Sequence, residues 1–367
     1  MKIIYIITGL GMGGAECQLC DVADALSARG HQIHIICLSG DVTKKTRSKE
    51  VKITNLKIRK KNIFSWFLAY AKAWLIIHKS NPDIVHSHLF HANIFSRLLR
   101  LFMPNTKLIS SLHSSYERGF GRMLIYRMTD CLTSISTNVS AAAVNSYITM
   151  KATQNGKMIV AYNGIDTNKY CYNENFRSLK RNELGINCEH KLLLAVGRFT
   201  EAKDYPNLLK AFSLINDTKT YLAIIGSGEQ EANLKALAKD YNVNQRIFWL
   251  GIRNDVEQWM SACDVFVLSS AWEGFGLVIA EALSCGCRVV ATDCGGVKEV
   301  LGVHGKLVDV KESFQLASAI KDSLNISSND ANHLAKNSRE WVEKKFSLDT
   351  VVDSWINLYR SLSRIGK

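Results

Sequence analysis

The opening stretch KIIYIITGLGMGGAECQLCDVADALS, residues 2–27, decides the fold. An apolar run at residues 2–8 leads into the glycine-rich segment 9–14, and an amphipathic segment begins near Ala15. This order predicts a buried strand, a tight turn and a crossover helix. Glycines permit close backbone approach and a helix N-terminus offers free N–H groups, so the turn is interpreted either as a phosphate site or as a plain tight turn.

The same glycines raise the alternative of a dinucleotide-binding enzyme. Gly9, Gly11 and Gly14 satisfy the G-x-G-x-x-G spacing of that class. A dinucleotide site also needs an acidic residue at the end of the second strand. Here that strand ends in IICLSG, residues 35–40, and Asp41 comes late, so the glycine spacing alone is weak evidence.

Short apolar runs alternate with amphipathic stretches along the whole chain, which predicts an α/β fold. The predicted strands are residues 2–8, 32–38, 52–58, 83–87, 107–112, 130–135 and 158–162 in the first half, and 191–197, 220–225, 246–250, 264–268, 288–291 and 305–308 in the second. The polar stretch from Asn163 to His190 predicts a linker at 166–190 between domains 1–165 and 191–347. Two such sheets usually face each other across a cleft, and ligands bind outside the carboxyl ends of the strands.

Size and charge agree with two domains and narrow the class of partner. The 367 residues exceed what one hydrophobic core usually serves. The formal net charge is +13, and residues 1–165 carry all of the excess, with 21 Lys/Arg against 8 Asp/Glu. This favours phosphates or anionic lipid over nucleic acid, for which no recognised binding module is present. Ten scattered cysteines predict free thiols in the cytosol, and no run reaches the ~20 apolar residues of a spanning helix.

Two cations follow the first strand of the second domain. Arg198 and Lys203 lie five residues apart in the loop after strand 191–197. Together they can neutralise a diphosphate and stabilise negative charge that grows on a leaving group, without a metal. Taken alone, such a pair is more often a solvated loop face.

The segment WEGFGLVIAEA, residues 272–282, follows another predicted strand. Its turn can present the Phe275, Gly276 and Leu277 amides to an anion before a helix opens. Glu273 in the turn could face a sugar, while Glu281 in the helix could accept hydrogen bonds from a ribose diol. An acid inside an otherwise apolar run is uncommon, which favours a functional role for Glu281.

Together these motifs resemble the family 4 retaining glycosyltransferases of GT-B fold, over essentially the whole chain. The resemblance runs through GGAE at 13–16, PDIVHSH at 82–88, VAYNGID at 160–166, VGR at 196–198 with Lys203, Glu273-x7-Glu281, and GG at 295–296 with Glu299. It implies two Rossmann-like domains, a C-terminal helix at about 348–367 that crosses back to the first domain, and transfer with retention at the anomeric carbon. The second domain would mainly hold a nucleotide-sugar donor, and the first an acceptor.

The resemblance also implies roles for single residues. Arg198 and Lys203 would hold the diphosphate, and Glu273 the donor sugar. The substrate-binding positions would be Gly13 and Gly14 approaching the diphosphate from the first domain, the amides of Phe275, Gly276 and Leu277, Glu281 at the ribose, and Arg253 beside the base. His113 matches the family histidine near the donor sugar and completes the catalytic set with Arg198, Lys203 and Glu273; without the resemblance, a satisfied core histidine is the better interpretation.

No metal or other cofactor is expected. His86, His88 and His91 could suggest a metal, but neighbouring strand positions point to opposite faces and no carboxylate completes a set. The chain also has no D-x-D motif, which metal-dependent glycosyltransferases of the other major fold generally use. The resemblance implies same-face attack, in which the departing phosphate assists deprotonation of the acceptor.

The predicted function is therefore metal-independent, retaining transfer of a hexosyl or N-acetylhexosaminyl unit from a UDP-sugar. The acceptor would be a glycan or a polyprenyl-diphosphate-linked glycan in surface polysaccharide assembly of the O-antigen or capsule type. Two alternatives are a nucleotide-sugar epimerase of the same architecture and a non-catalytic nucleotide-sugar-binding protein.

A basic stretch precedes an aromatic helix in the first domain. Residues 44–61 hold nine Lys/Arg, including Lys60 and Lys61, and one acid. Behind them, one helical face is predicted to carry Ile63, Phe67, Tyr70, Trp74 and Ile77. Either this helix packs on its own sheet and the lysines are solvated, or the surface sits on anionic lipid. The second reading predicts a cytoplasmic protein held on the inner face of the membrane.

Overall fold

A computed structural model describes residues 1–11, 13–40, 42–59, 62–117 and 119–364. Of the positions singled out above, Met12 in the glycine-rich turn, Asp41, Lys60 and Lys61 lie outside the described residues. The chain divides into a first unit, Met1–Gly164 with the helix that begins at Leu348, and a second unit, Ile165–Ser347. Each unit is built on one parallel sheet flanked by helices, which confirms the α/β prediction.

The first unit has a seven-stranded sheet in the order β3-β2-β1-β4-β5-β6-β7. The strands are β1 Lys2–Ile7, β2 Gln32–Cys37, β3 Lys52–Asn55, β4 Ile84–His88, β5 Leu108–Ser111, β6 Ile135–Asn138 and β7 Met158–Val160. All neighbours are parallel, with Ile3 of β1 opposite Ile33 on one side and Ile84 on the other. Central strands that are buried on both faces need continuous apolar runs, and these runs are what predicts the strands from the sequence.

One predicted strand of this sheet is displaced. The strand expected at 130–135 begins only at Ile135, and Asp130–Leu132 form a 3-10 turn instead. Asp130 accepts a hydrogen bond from Thr153 at 3.0 Å and lies 3.7 Å from the buried guanidinium of Arg97. These partners come from distant parts of the chain, so they carry no local sequence signal.

Helices cover both faces of the sheet. In the first unit they are α1 Gly14–Ala28, α2 Ile63–Ser80, α3 Phe90–Leu99, α4 Phe120–Thr129 and α5 Ala141–Thr149. Residues of α2 and α3 share one core with β1, β2, β4 and β5, whereas α1 packs in a separate core on the other face.

The second unit has a six-stranded parallel sheet in the order β10-β9-β8-β11-β12-β13. The strands are β8 Lys191–Val196, β9 Thr220–Ile225, β10 Ile247–Gly251, β11 Val265–Leu268, β12 Arg288–Thr292 and β13 Gly305–Val308. The helices are α6 Glu174–Glu183, α7 Tyr205–Ser213, α8 Glu231–Asp240, α9 Val256–Ala262, α10 Leu277–Ser284, α11 Val297–Leu301, α12 Ser313–Leu324 and α13 Ser328–Phe346. Because β8 and β11 are neighbours, the loops that follow them open at the same place on the carboxyl edge.

The last helix, α14 Leu348–Arg364, belongs to the first unit, as the crossing-back prediction requires. It packs beside α1 with a buried apolar stripe: Val351, Val352, Trp355, Ile356 and Tyr359. Arg29 at the end of α1 bridges Asp349 at 2.7 Å and Asp353 at 2.6 Å. In the part of the chain that the structure describes, no helix is both long and apolar enough to cross a bilayer.

The stretch predicted as a linker differs from the prediction. Residues 166–190 contain α6, and Arg177 and Arg181 of that helix reach the Asp264 carboxylate at 2.7 and 3.3 Å. Arg181 also donates to the Ala262 carbonyl at 3.1 Å. The helix is anchored by arginines rather than by an apolar stripe, so apolar periodicity does not reveal it.

We expect Asp264 to make the stability of the second unit depend on pH. Burial disfavours the carboxylate, but Arg177, the Leu192 N–H and Arg181 outweigh it, so the pKa of Asp264 lies below its usual value of 3.8. A folded-state pKa below the unfolded one stabilises fully above the unfolded value, and the contribution is lost as the pH falls through the folded value. Asp264→Asn should therefore lower the free energy of unfolding at neutral pH by about 3–5 kcal/mol and flatten its decline below about pH 4.

Denaturant unfolding followed across that pH range measures both effects. The matched control is Asp322→Asn, because Asp322 also pairs with a cation, Lys306 at 2.9 Å, but on the surface. The control should cost less than about 1 kcal/mol. Equal costs for the two variants would show that Asp264 does not anchor α6.

Candidate functional site

Two predicted site residues meet at the carboxyl edge of the second sheet. The Lys203 ammonium forms an ion pair with the Glu273 carboxylate, and Ser270 donates a hydrogen bond to the same carboxylate at 2.8 Å. Lys203 ends a 3-10 turn after β8, and Glu273 lies in the loop after β11. Arg198 lies in the loop of Lys203 with its side chain exposed. The structure thus brings Lys203 and Glu273 together and leaves Arg198 open to solvent.

Glycine at position 197 lets Lys203 take this place. A Cβ at Gly197 would lie 3.0 Å from Cε of Lys203 and 3.3 Å from the Tyr205 hydroxyl. Tyr205 donates to the Gly197 carbonyl at 3.0 Å, and Ser269 donates to the Lys203 carbonyl at 2.9 Å. Burial and the charge of Glu273 raise the pKa of Tyr205, so its hydroxyl remains a donor. The two hydrogen bonds therefore fix the loop both at Gly197, where it begins, and at Lys203 itself.

Sequence reasoning missed two glycines that hold this loop. Gly226 and Gly228 follow β9, and a Cβ at Gly226 would overlap the Gly197 carbonyl. A Cβ at Gly228 would lie 2.5 Å from the carbonyl oxygen of Phe199 and 2.8 Å from its nitrogen. The Phe199 N–H donates to the Ser227 carbonyl at 2.9 Å. The signal that could have found them is the G-S-G directly after a predicted strand, next to a loop already singled out.

The turn before α10 has the predicted form. Gly276 has a φ of 84°, in the left-handed region that favours glycine, and its carbonyl accepts the Ile279 N–H at 2.8 Å. Leu277 opens the helix, and no side chain caps it among the described residues. Phe275 is buried and its ring meets Phe346 edge-on at 5.5 Å, so its side chain is used in packing. A helix N-terminus that lacks a side-chain cap suits an anion.

Glu281 already has a partner inside the second unit. It is half-buried in α10, and the Tyr170 hydroxyl donates a hydrogen bond to it. Burial and this carboxylate raise the pKa of Tyr170, so the phenol stays protonated. Tyr170 lies in the stretch predicted as a linker, which is why it was not singled out. A ribose diol at Glu281 would meet a carboxylate that Tyr170 holds in place.

Arg253 is tied to its neighbours. Its guanidinium donates to both carboxylate oxygens of Asp255, at 2.9 and 2.7 Å, and lies 5.5 Å from the centre of the Trp259 ring. The hydrogen bonds from Arg253, and the nearby Lys180, hold the pKa of Asp255 well below its usual value. The structure assigns Arg253 this packing role, and its place beside a base stays a prediction.

In the first unit, α1 begins at Gly14 with Gly13 as its N-cap. The Glu16 carboxylate folds back so closely that a Cβ at Gly13 would overlap it. A carboxylate at a helix N-terminus is favourable for the same reason that a phosphate would be. The site predicted at Gly13 and Gly14 therefore carries an internal anion, and a phosphate approaching it would have to displace Glu16.

His113 follows β5 and contacts His88 of β4, with its Nε2 3.1 Å from Nδ1 of His88. His86 and His88 lie on the same face of β4, their ring centroids 4.2 Å apart. The expectation of opposite faces was wrong, because residues two apart on a strand share a face. His91 lies apart in α3. Among the described residues, no group of three or more His, Cys, Asp or Glu side chains is arranged to hold a metal.

The apolar face predicted for α2 is divided along the helix. Ile77 is buried, and Tyr70 and Trp74 pack partly buried against the core of the first unit. Ile63 and Phe67, by contrast, are 87% and 68% exposed. The second half of α2 thus packs on its own sheet, and the first turns present apolar side chains to solvent.

Gly228→Ala should disturb the site through the backbone. The added methyl cannot fit against Phe199 without moving the loop that carries Arg198 and Lys203. We expect a loss of about 1–3 kcal/mol in stability from overpacking. The matched control is Gly121→Ala, because a Cβ at Gly121, inside α4, meets nothing within 4 Å.

Thermal unfolding of both variants measures this effect, and the control should unfold at or slightly above the wild-type temperature. Wild-type stability in Gly228→Ala would show that the two loops are not in close contact.

The sequence of this chain matches two family models of known proteins. Residues 12–169 match the family model "Glycosyltransferase Family 4", and residues 176–341 match "Glycosyl transferases group 1". Neither model describes an epimerase or a binding protein.

Three individual proteins are similar over most of the chain. The UDP-Gal:alpha-D-GlcNAc-diphosphoundecaprenol alpha-1,3-galactosyltransferase of Escherichia coli is 27% identical over 303 residues, 77% of this chain and 76% of the relative. The O-antigen biosynthesis glycosyltransferase WclY of Escherichia coli is 22% identical over 99% of both chains. The solved structure of Anabaena HepE in complex with UDP-glucose has a TM-score of 0.86 at 24% identity, over 98% of this chain and 100% of HepE.

Proposed function

The chain belongs to the family 4 glycosyltransferases, and on that premise we propose that it transfers a hexosyl or N-acetylhexosaminyl unit, with retention, from a UDP-sugar to a glycan or polyprenyl-diphosphate-linked acceptor. Surface polysaccharide assembly of the O-antigen type is the proposed setting. The names of the Escherichia coli relatives support a UDP donor, a lipid-linked acceptor and this setting.

The observation that carries the proposal is the meeting of Lys203 and Glu273 at one edge of a parallel sheet. The loops after β8 and β11 open side by side, where ligands of open α/β sheets bind. The same segment after β11 leads into the uncapped N-terminus of α10. A cation, a carboxylate and main-chain donors at one place suit a sugar diphosphate, whose anionic and hydroxyl groups need all three.

In the proposed mechanism, negative charge grows on the diphosphate as the bond to the sugar breaks. Arg198 and Lys203 stabilise that charge, and the α10 amides add hydrogen bonds. Glu273 accepts hydrogen bonds from sugar hydroxyls while Lys203 and Ser270 hold its carboxylate in place. The acceptor hydroxyl attacks the face that the phosphate leaves, and the departing phosphate oxygen takes its proton. These two cations take the part that a metal plays in other transferases, so no metal is invoked.

Lys203→Ala and Arg198→Ala should lower kcat more than they weaken donor binding. Interactions that strengthen as charge develops contribute to the transition state more than to the ground state. The expected loss is roughly 10²–10³-fold in kcat. Titration of UDP-sugar binding and initial-rate kinetics separate the two effects. Lys219→Ala is the control, because Lys219 forms an exposed ion pair with Glu189 at 2.8 Å, away from Lys203 and Glu273 in the sequence. Unchanged turnover in both site variants would refute the assignment.

A panel of UDP- and GDP-sugars, screened for binding and slow hydrolysis, identifies the donor. Glu273→Ala serves as the control for site occupancy. Formation of a sugar isomer without acceptor would instead support the epimerase, and binding without any turnover would support the binding protein.

We also propose that the first unit associates with the inner face of the cytoplasmic membrane. In a parallel sheet, helices that follow strands start at the carboxyl edge, where loops hold substrates. The first turns of α2 carry four exposed apolar side chains, Ile63 at 87%, Phe64 at 66%, Phe67 at 68% and Leu68 at 51%, and α4 begins with Phe120 at 81%. Such a patch beside cations is the chemistry of an anionic lipid surface.

Several described cations that precede α2 in the sequence are exposed. Lys57 and Arg59 are exposed immediately before α2, and Lys45 is exposed in the loop after β2. Arg47 is committed elsewhere, since it lies 3.6 Å from both Asp21 and Asp24. Each exposed cation near anionic lipid contributes roughly 1 kcal/mol.

Replacing Phe64 and Phe67 together by Ser should weaken binding to vesicles that contain anionic lipid. Burial of each ring contributes about 1.5–3 kcal/mol, so loss of both should lower the affinity at least about 100-fold. Vesicle flotation at low salt measures the bound fraction. The matched control replaces Ile252 and Val303, which are even more exposed apolar residues of the second unit, by Ser. If the wild-type chain does not float with anionic vesicles at low salt, the membrane proposal is wrong.

A further inference from the structure

The first unit contains a cluster of buried polar rings at the carboxyl ends of β1, β4 and β5. Tyr5, His86, His88 and His113 line a small cavity of about 20 Å³ together with Trp355 of α14. The ring centroids of Tyr5 lie 5.3 Å from His86 and 5.4 Å from His88. Of these four residues, only His113 is given a functional role by the family resemblance, near the donor sugar.

His86 has a complete set of partners. Its Nδ1 lies 2.8 Å from the Tyr359 hydroxyl, and its Nε2 lies 2.6 Å from the Ser111 hydroxyl. Both hydroxyls have a further partner, Tyr5 at 3.0 Å and Thr137 at 2.6 Å. His86 therefore belongs to a closed network that holds α14 to the sheet.

His88 and His113 differ from His86 in having open nitrogens. Nδ1 of His88 and Nε2 of His113 are 3.1 Å apart and share a hydrogen bond. Nε2 of His88 and Nδ1 of His113 are buried and have no hydrogen-bond partner among the described residues. Buried polar atoms in proteins are usually paired, so these two atoms point to a ligand.

Both rings are neutral at physiological pH. Burial lowers the pKa of His113 to about 4, and burial with His86 and His113 nearby lowers the pKa of His88 well below its usual value. The titratable groups that face the pair are Tyr5 and His86. Each neutral ring therefore carries one N–H proton, and the shared hydrogen bond uses one of these two protons.

The shared bond links the tautomers of the two rings. If His88 donates from Nδ1, His113 accepts at Nε2 and must carry its own proton on Nδ1. If His113 donates from Nε2, then His88 carries its proton on Nε2 and the open Nδ1 of His113 is an acceptor. In either arrangement the pair presents one donor and one acceptor.

Burial decides between the two arrangements. Buried N–H groups without a partner are rarer in proteins than buried acceptors without one. His88 is almost fully buried, whereas His113 is only half-buried. The open N–H thus belongs on His113 and the open lone pair on His88.

We propose that His88 is a positioning residue that holds His113 as its Nδ1–H tautomer, so that this N–H donates a hydrogen bond to a hydroxyl of the bound sugar. The proposal rests on the proposed function and on the family resemblance, which implies that His113 lies near the donor sugar. In this role, the hydrogen bond from His88 decides which ring nitrogen of His113 carries the proton.

Nitrogen-15 NMR of the full chain, labelled in the histidine rings, tests the tautomer without any substrate. In the wild-type chain, His113 should show a protonated Nδ1 and an unprotonated Nε2, with the signals assigned by their loss in His113→Asn. In His88→Phe, which removes the donor but keeps a ring, the His113 proton should move to Nε2. His88→Asn should restore the wild-type tautomer, because the amide nitrogen of Asn takes the position of Nδ1. A protonated Nε2 on His113 in the wild-type chain would overturn the proposal without any variant.

Kinetics test the second half of the proposal. His88→Phe should lower kcat about 10-fold with little change in KM, the size expected for one lost hydrogen bond, and His88→Asn should recover most of the rate. His333→Phe, on the exposed face of α13, is the control for loss of a histidine. A tautomer shift in His88→Phe with unchanged kcat would overturn the role toward the sugar. Failure of the proposed function itself would appear separately, as absence of transfer in the wild-type chain.

Discussion

The close contact of two backbone loops at Gly226 and Gly228 supports the whole edge of the second sheet. A side chain at either position would occupy space taken by the main chain at Gly197 or Phe199. Because the loop after β9 lies against the loop after β8, the latter can turn sharply and carry Lys203 toward the loop after β11. The ion pair with Glu273 then joins loops from two neighbouring strands. The geometry of the site therefore depends first on the close packing of these two loops and then on the ion pair between Lys203 and Glu273.

The two units solve the problem of buried polarity in different ways. The second unit buries a charged carboxylate together with its partners. Asp264 is surrounded by Arg177, Arg181 and the Leu192 N–H. Removal of one partner of such a group leaves an uncompensated charge, which is why it anchors α6 firmly. The first unit instead buries neutral hydroxyls and imidazoles, which cost less to desolvate and need only hydrogen bonds. Neutral groups of this kind can change a proton position without changing net charge.

Net charge is also distributed unequally between the two parts of the chain. The excess of 13 positive charges lies in residues 1–165, whereas the rest of the chain carries 25 charges of each sign. The exposed apolar starts of α2 and α4 belong to the basic part, so hydrophobic and electrostatic attraction to a lipid surface would act on the same unit. The nearly neutral second unit carries Arg198 and Lys203 in the loop after β8, at the carboxyl edge of its sheet.

Much of the fold was predictable from the sequence, since buried parallel strands require apolar runs and crossover helices require amphipathic ones. Elements without such a pattern were displaced or missed. Helix α6 is held by arginines, the strand expected at 130–135 starts late because Asp130 turns inward, and α2 divides its apolar face between core and solvent. The family motifs located Lys203, Glu273 and Glu281, but not Gly228 or Tyr170, whose importance comes from what they touch.

The sequence by itself determined two parallel sheets, the order of their strands along the chain, the glycine-rich and charged loops that follow them, and the membership in a family of glycosyltransferases. Only the tertiary structure decided that Lys203 pairs with Glu273, that Tyr170 holds Glu281, and that His88 bonds to His113. The physical reason is that periodicity records which side of a segment is buried. The residue that packs against that buried side comes from strands and loops that lie far away along the chain.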